Sequence, residues 1–334
     1  MSVLPKSPDT AYVYLSTLLK AMEKDVLSNE DLTRLTTART DEDAVKILVG
    51  KGWERFDAKN SVALEQEISH QRKALFDLIY RYVPQTDVVD LFRLKYDYHN
   101  LKALIKSTAQ GMDGQHLLSD AGTISPSTLV GLYNDKDYSH MHPIMATAAQ
   151  EAADLLARTG DPQLSDLMLD GALAAQMLAL AKATESTFLL GYVRRWIDLG
   201  NLRVLTRAAL SKKGFDYLQR AIFPGGKVAC GQLREVTPEL LRRQFGFGAL
   251  RTATEAAADV LSGDMALSGL DIACDNTLIA YIRTSRLIPF GEATVIAYLL
   301  AFESQLVAVR TVMSGRATGL SEENITERLR MSYV

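Results

Sequence analysis

The residues whose types could do chemistry begin with His140 and His142, which flank Met141, because imidazole is the commonest metal-binding side chain. A zinc site needs three or four ligands in a recognisable spacing. No third or fourth stands nearby, and His142 precedes Pro143 in a polar stretch. A solvated loop is the expected reading, and no metal is assigned. Gly225-Gly226-Lys227 and Gly50-Lys51-Gly52 resemble phosphate loops only in composition. Neither fits G-x-x-x-x-G-K-[ST] nor follows a buried strand, so both read as turns. There is no G-x-S-x-G elbow, and neither Cys230 nor Cys274 stands in a nucleophile motif. No catalytic residue and no cofactor are expected.

Carboxylates cluster at Asp161, Asp166 and Asp170 (DPQLSDLMLD) and at Asp271 and Asp275 (LDIACDN). A spacing of four places Asp166 with Asp170, and Asp271 with Asp275, on one helix face. Such a face could serve acid–base work or hold a divalent cation. More often it is solvated, or pairs with arginines on a neighbouring helix. Arg194, Arg195, Arg203 and Arg207 are the candidate arginines, and are equally candidates for a partner interface. The sequence does not assign the pairs.

The elements that would position these residues are helices, because apolar spacings of three and four recur while strict alternation is hard to find. Leu91, Leu94, Tyr98, Leu101 and Ile105 form one stripe. Phe188, Tyr192, Trp196 and Leu199 form a second, and Val295, Leu299, Phe302, Leu306, Val309 and Met313 a third. Superposing the three on Leu101, Leu202 and Leu306 also aligns Asn100, Asn201 and Gln305. Asp97 matches Asp198, while Phe302 departs. Gly111, Gly214 and Gly315 are expected to stop these helices, and Pro84, Ser186 and Pro289-Phe290-Gly291 to mark their starts. The loops Ser125-Pro126-Ser127-Thr128-Leu129 and Phe223-Pro224-Gly225-Gly226-Lys227 also look alike. The expected organisation is therefore all-α, with three similar units at 1–115, 116–217 and 218–334. Asp97, Asn100, Asp198 and Asn201 are expected to satisfy backbone groups of adjacent elements, with a partner contact as the alternative.

Composition sets outer bounds. The chain has 334 residues, 47% hydrophobic and 23% charged, an ordinary globular balance. A formal net charge of −3 gives no excess positive potential, so nucleic acid is not an expected partner. Two cysteines without a CxxC pair, in a chain without a signal-peptide pattern, read as reduced cytosolic thiols. The most apolar run, Val295 to Phe302, is far shorter than the roughly 20 residues a spanning helix needs. No transmembrane segment is expected, and the terminal MSYV carries no lipidation signature.

A set of ordered landmarks resembles a known family. They are KYDYHNLKALIK (Lys95 to Lys106), LLSDAGTISP (Leu117 to Pro126), DPQLSDLMLD (Asp161 to Asp170), YVRRWIDLGNLRVLTR (Tyr192 to Arg207), FPGGKV (Phe223 to Val228) and the stretch from Phe290 to Val334. Together they resemble the C subunits of the V/A-type ATP synthases, whose eukaryotic relative is the d subunit of the vacuolar ATPase. The family residues carried over are Asp97, Asn100, Leu101, Asp170, Asp198, Asn201, Leu202, Glu303 and Arg310, whereas Ser304 and Gln305 are milder than the family's third signature helix usually has. The resemblance implies a funnel of three helical units about a pseudo-threefold axis, without catalytic residues. It also implies a place on the cytoplasmic face of the membrane, with central-stalk subunits and the proteolipid ring as partners. The alternatives are a helical scaffold unrelated to any ATPase, and an enzyme using Asp166, Asp170 or Asp275 with a divalent ion.

Overall fold

The computed structural model describes residues 6–230, 233 and 235–334, and all regular structure among them is helical. Along the chain run α1 (Val13–Met22), α2 (Asn29–Thr36), α3 (Asp41–Val49) and α4 (Ser61–Tyr82). There follow α5 (Asp87–Ala109), α6 (Pro126–Asn134), α7 (Pro143–Thr159), α8 (Pro162–Ala183) and α9 (Thr187–Leu210). Next come α10 (Phe215–Ala221), α11 (Pro238–Phe245), α12 (Arg251–Ser262), α13 (Leu267–Arg283), α14 (Glu292–Ala317) and α15 (Glu322–Thr326).

Packing groups the chain into two compact units. A mid-chain unit holds residues 85–265 together with Lys6, and a terminal unit holds 7–84 with 266–334. This grouping does not coincide with the three-way division by sequence recurrence.

In the mid-chain unit one local device opens four helices: a capping side chain followed by proline. Ser125-Pro126, His142-Pro143, Asp161-Pro162 and Thr237-Pro238 start α6, α7, α8 and α11. Each cap side chain accepts a first-turn N–H that has no partner within the helix, and proline loses nothing at a position whose N–H is orphaned anyway. Gly160, at φ +66°, closes α7 in the left-handed conformation, and Gly263, at φ +87°, closes α12 the same way. The terminal unit is built around α14, whose Leu306, Val309 and Val312 are fully buried against Leu35, Leu48 and Ile68. Each such burial contributes about 1.5–3 kcal/mol relative to exposure.

Two of the three expected glycine stops lie elsewhere. Gly111, at φ +66°, does follow the end of α5. Past α9, however, the left-handed residue is Lys212, at φ +50°, and Gly214 instead precedes α10. Gly315 lies inside α14, buried where a Cβ would press on Ile325, and the left-handed turn comes at Gly319, φ +71°.

The expectation that no segment has the length of a membrane span also changes. By length and composition α8 and α14 both qualify, with mean hydropathy 1.3 and 1.5 over their best windows. The apolar run at Val295 to Phe302 is only part of a 26-residue helix. Most of the α14 window, 61%, is buried inside the protein, as in a core helix, and its charged side chains are paired within the terminal unit.

Candidate functional site: polar anchors of the signature helices

On α5, α9 and α14 the aligned leucines Leu101, Leu202 and Leu306 are each fully buried. The polar residues beside them are buried too, and each grips backbone. Asp97 Oδ2 accepts the Thr123 N–H at 3.0 Å and the Thr123 hydroxyl at 2.7 Å, while Oδ1 accepts the Ile124 N–H at 3.0 Å. One turn on, Asn100 clamps both backbone groups of Ser119: its Oδ1 accepts the N–H at 2.8 Å and its Nδ2 donates to the carbonyl at 2.8 Å.

The same arrangement recurs on α9. Asp198 accepts the N–H groups of Lys227 and Val228 at 3.1 and 3.0 Å. Asn201 clamps Phe223, accepting its N–H at 2.8 Å and donating to its carbonyl at 2.9 Å. Thus Ser119 to Ile124 and Phe223 to Val228 are equivalent loops, and Asp120-Ala121-Gly122 corresponds to Pro224-Gly225-Gly226. The sequence pairing of Ser125-Pro126 with Phe223-Pro224 is therefore out of register. The true counterpart of Ser125-Pro126 is Thr237-Pro238, since each pair caps and opens a short helix.

In the terminal unit the clamp is shared between two residues. Gln305 Oε1 accepts the Leu27 N–H at 2.8 Å, and Ser332 Oγ donates to the Leu27 carbonyl at 2.6 Å. The aspartate position is Phe302, half-buried, so no carboxylate extends this third clamp.

Burial pushes the carboxyls of Asp97 and Asp198 above the ordinary aspartate value, against the opposing effect of the N–H groups they accept. A carboxyl raised on folding holds its proton more tightly in the folded chain. Its contribution to stability is full below the ordinary value of 3.8 and is lost as pH rises through the raised one. Hence the stability advantage of the wild type over Asp97→Asn should shrink as pH rises above that ordinary value, by at most about 1.4 kcal/mol per pH unit. Urea unfolding across the acidic range measures it, and a gap that widens with pH would show the carboxylate to be the favoured buried form.

The acidic face of α8 is paired, though not by arginine. Asp170 meets Lys102 at 2.5 Å and Asp166 meets Lys106 at 3.1 Å, both lysines lying on α5. Asp275 pairs with Arg330 at 3.0 Å in the terminal unit, and Asp161 caps α8. Of the candidate arginines, Arg194, Arg195 and Arg203 are half-buried and Arg207 is exposed, and Arg195 Nη1 donates to the Gly191 carbonyl at 3.0 Å. Arg93, one turn before Asp97, escaped sequence reasoning: it donates to the carbonyls of Ala121 and Gly122. Only its four-residue spacing from Asp97 could have pointed to it. In the terminal unit Glu303 meets Arg72 at 3.0 Å, and Arg310 makes a forked pair with Glu65 at 2.6 and 2.7 Å.

The remaining groups suit structure better than catalysis. Cys230 is buried and its thiol is pushed up to about 12, by burial first and by the Asp198 charge second, so the nucleophilic thiolate is strongly disfavoured. His142 Nδ1 accepts the Ile144 N–H at 3.3 Å as the cap of α7. His140 and His142 also border a cavity of about 250 Å³ with Asp87, Asp90 and Gln176, so their segment is not simply a solvated loop.

Geometry therefore defines an all-helical protein in which buried polar side chains of long helices clamp the backbone of neighbouring loops. A family model described as ATP synthase (C/AC39) subunit matches residues 15–328, and the chain belongs to that family of non-catalytic subunits of V/A-type rotary ATPases. It is similar to the C subunit of the V-type sodium ATPase of Enterococcus hirae, 21% identical over 80% of this chain and 82% of the relative. It is also similar to the C subunit of the A-type ATP synthase of Thermococcus onnurineus, 24% identical over 95% and 90%. The corresponding protein of Pyrococcus abyssi is 22% identical over 95% and 90%.

Proposed function

We propose that the chain is the rotor part that joins the central stalk of a V/A-type ATPase to the membrane proteolipid ring, on the cytoplasmic face of the membrane. The observation that carries this reading is the family match, which runs through both compact units from residue 15 to 328. The anchors support it mechanically. A part that transmits torque needs loops that cannot swing, and each clamp above ties a loop to a long helix through buried hydrogen bonds, which resist solvent competition.

In this reading the chain is a funnel of three units, 1–115, 116–217 and 218–334, with pseudo-threefold symmetry. The recurrence of the clamp at Ser119, Phe223 and Leu27 supports three repeats. Arg194, Arg195, Arg203 and Arg207 of α9 are its candidate partner-facing residues, Arg207 being the most open. Affinity isolation of the tagged chain from gently solubilised membranes of its host tests the reading. Recovery of the proteolipid ring with stalk and catalytic subunits is the expected result. Deleting the gene should also uncouple ATP hydrolysis from ion movement while the catalytic head still hydrolyses ATP. Unchanged ion pumping without the chain would sink the proposal.

A further inference from the structure

We propose that the cavity of about 250 Å³ in the mid-chain unit binds a short aliphatic amino alcohol, ammonium at one end and hydroxyl at the other. α5 and α8 run antiparallel beside it, since Lys106 meets Asp166, Lys102 meets Asp170 and Tyr98 meets Gln176. Continuing that order toward the start of α5 sets Leu94 against Ala179 and Leu180, and Asp90 against Ala183, and all five line the cavity. Its two ends therefore differ in chemistry. At the start of α5, Asp87 and Asp90 stand three residues apart on one helix face, and no lysine or arginine is among the lining residues. His142 adds no positive charge near neutral pH, because burial holds its imidazole below the ordinary value. That end suits a cation and repels an anion.

At the other end sits Gln176, which is only 5% exposed. Its Oε1 accepts the Tyr98 hydroxyl at 2.8 Å, and burial raises the Tyr98 phenol, so the proton it donates stays in place. The amide is thereby oriented. No described residue accepts from Gln176 Nε2, so this donor on a buried lining side chain is left for a ligand oxygen. Between the two ends Leu94, Met145 and Leu180 supply an apolar wall for a hydrocarbon chain. From Asp90 to Tyr98 the helix rises by about 12 Å, at about 1.5 Å per residue, which leaves room for an extended chain between the two polar ends. Ala179 and Ala183 are exposed and too small to close the cavity, so they mark its entry. Thr123 and Ile124, the two residues anchored by Asp97, also line it, so a bound ligand would touch the first clamped loop.

The test uses the full chain with aminohexanol as the probe and hexanol and hexanoate as comparisons, read by saturation-transfer NMR and calorimetry. Aminohexanol is expected to bind saturably at one equivalent, at least about tenfold more tightly than hexanol, while hexanoate does not bind. Asp90→Asn should weaken aminohexanol by at least about tenfold and leave hexanol unchanged, because only the ammonium reads the charge. Ala179→Leu and Ala183→Leu place a good helix former at exposed positions of α8, so both should fold, as circular dichroism will show. Each fills the entry and should abolish binding of the probe. Absence of saturable aminohexanol binding, equal binding of the three compounds, or undiminished binding by the leucine variants would overturn the proposal.

Discussion

Gly122→Ala and Gly226→Ala should each destabilise the folded chain by about 3 kcal/mol, the sum expected from overpacking and from loosened buried hydrogen bonds. A Cβ at Gly122 would fall well inside van der Waals contact with Asp97 Oδ1, and one at Gly226 would do the same to Asp198 Oδ1. Neither glycine has a positive φ, so the requirement is space and not conformation. The carboxylates cannot retreat cheaply, because each is buried and already holds two consecutive backbone N–H groups of the same loop. Pushing the loop away instead breaks those bonds. Melting should fall by roughly 6–12 °C, taking about 2–4 °C per kcal/mol for compact units of this size. Gly131→Ala provides the contrast. It sits inside α6 with open space around a built Cβ, so the same change should stabilise by about 0.5–1 kcal/mol. If Gly122→Ala melts like Gly131→Ala, the anchors do not hold the loops as described.

These anchors explain what was legible in the sequence and what was not. The helical class and the aligned columns at Leu101, Leu202 and Leu306 could be read because apolar period and polar punctuation are local. Asp97 and Asp198 stood out for the same reason. Their partners did not, since Ser119 to Ile124 and Phe223 to Val228 share little in side chains. What they share is backbone N–H direction and a glycine under the carboxylate, neither of which composition records. The glycine stops misled for a related reason. Gly315 is required by the approach of Ile325 from α15, a tertiary contact, while Lys212 turns left-handed although it carries a side chain. The acidic face of α8 found lysines of α5 where arginines were expected, because helix pairing decides which cations come near.

Replacing Arg72 by alanine should cost about 3–4 kcal/mol, whereas Glu65→Ala should cost at most about 1 kcal/mol, although both break an ion pair between α4 and α14. The difference is exposure. Arg72 and Glu303 are each 12% exposed, while Arg310 and Glu65 are 38% and 51% exposed. Water substitutes for the lost partner of an exposed charge but not for that of a buried one. Salt should accordingly weaken the contribution of Glu65 with Arg310 and leave that of Arg72 with Glu303 nearly unchanged. The sequence order of the pairs is reversed, 65 with 310 and 72 with 303, so together they fit only an antiparallel alignment of the two helices. A double variant, Arg72→Met with Glu303→Met, separates strength from register. Methionines of similar length refill the space without a buried charge, so the double variant should be more stable than Arg72→Ala. Recovery to wild-type stability would mean that packing holds the helices and the ion pair selects their alignment. If Arg72→Ala costs no more than Glu65→Ala, the inner pair is solvated in solution and contributes nothing beyond an exposed pair to holding α14.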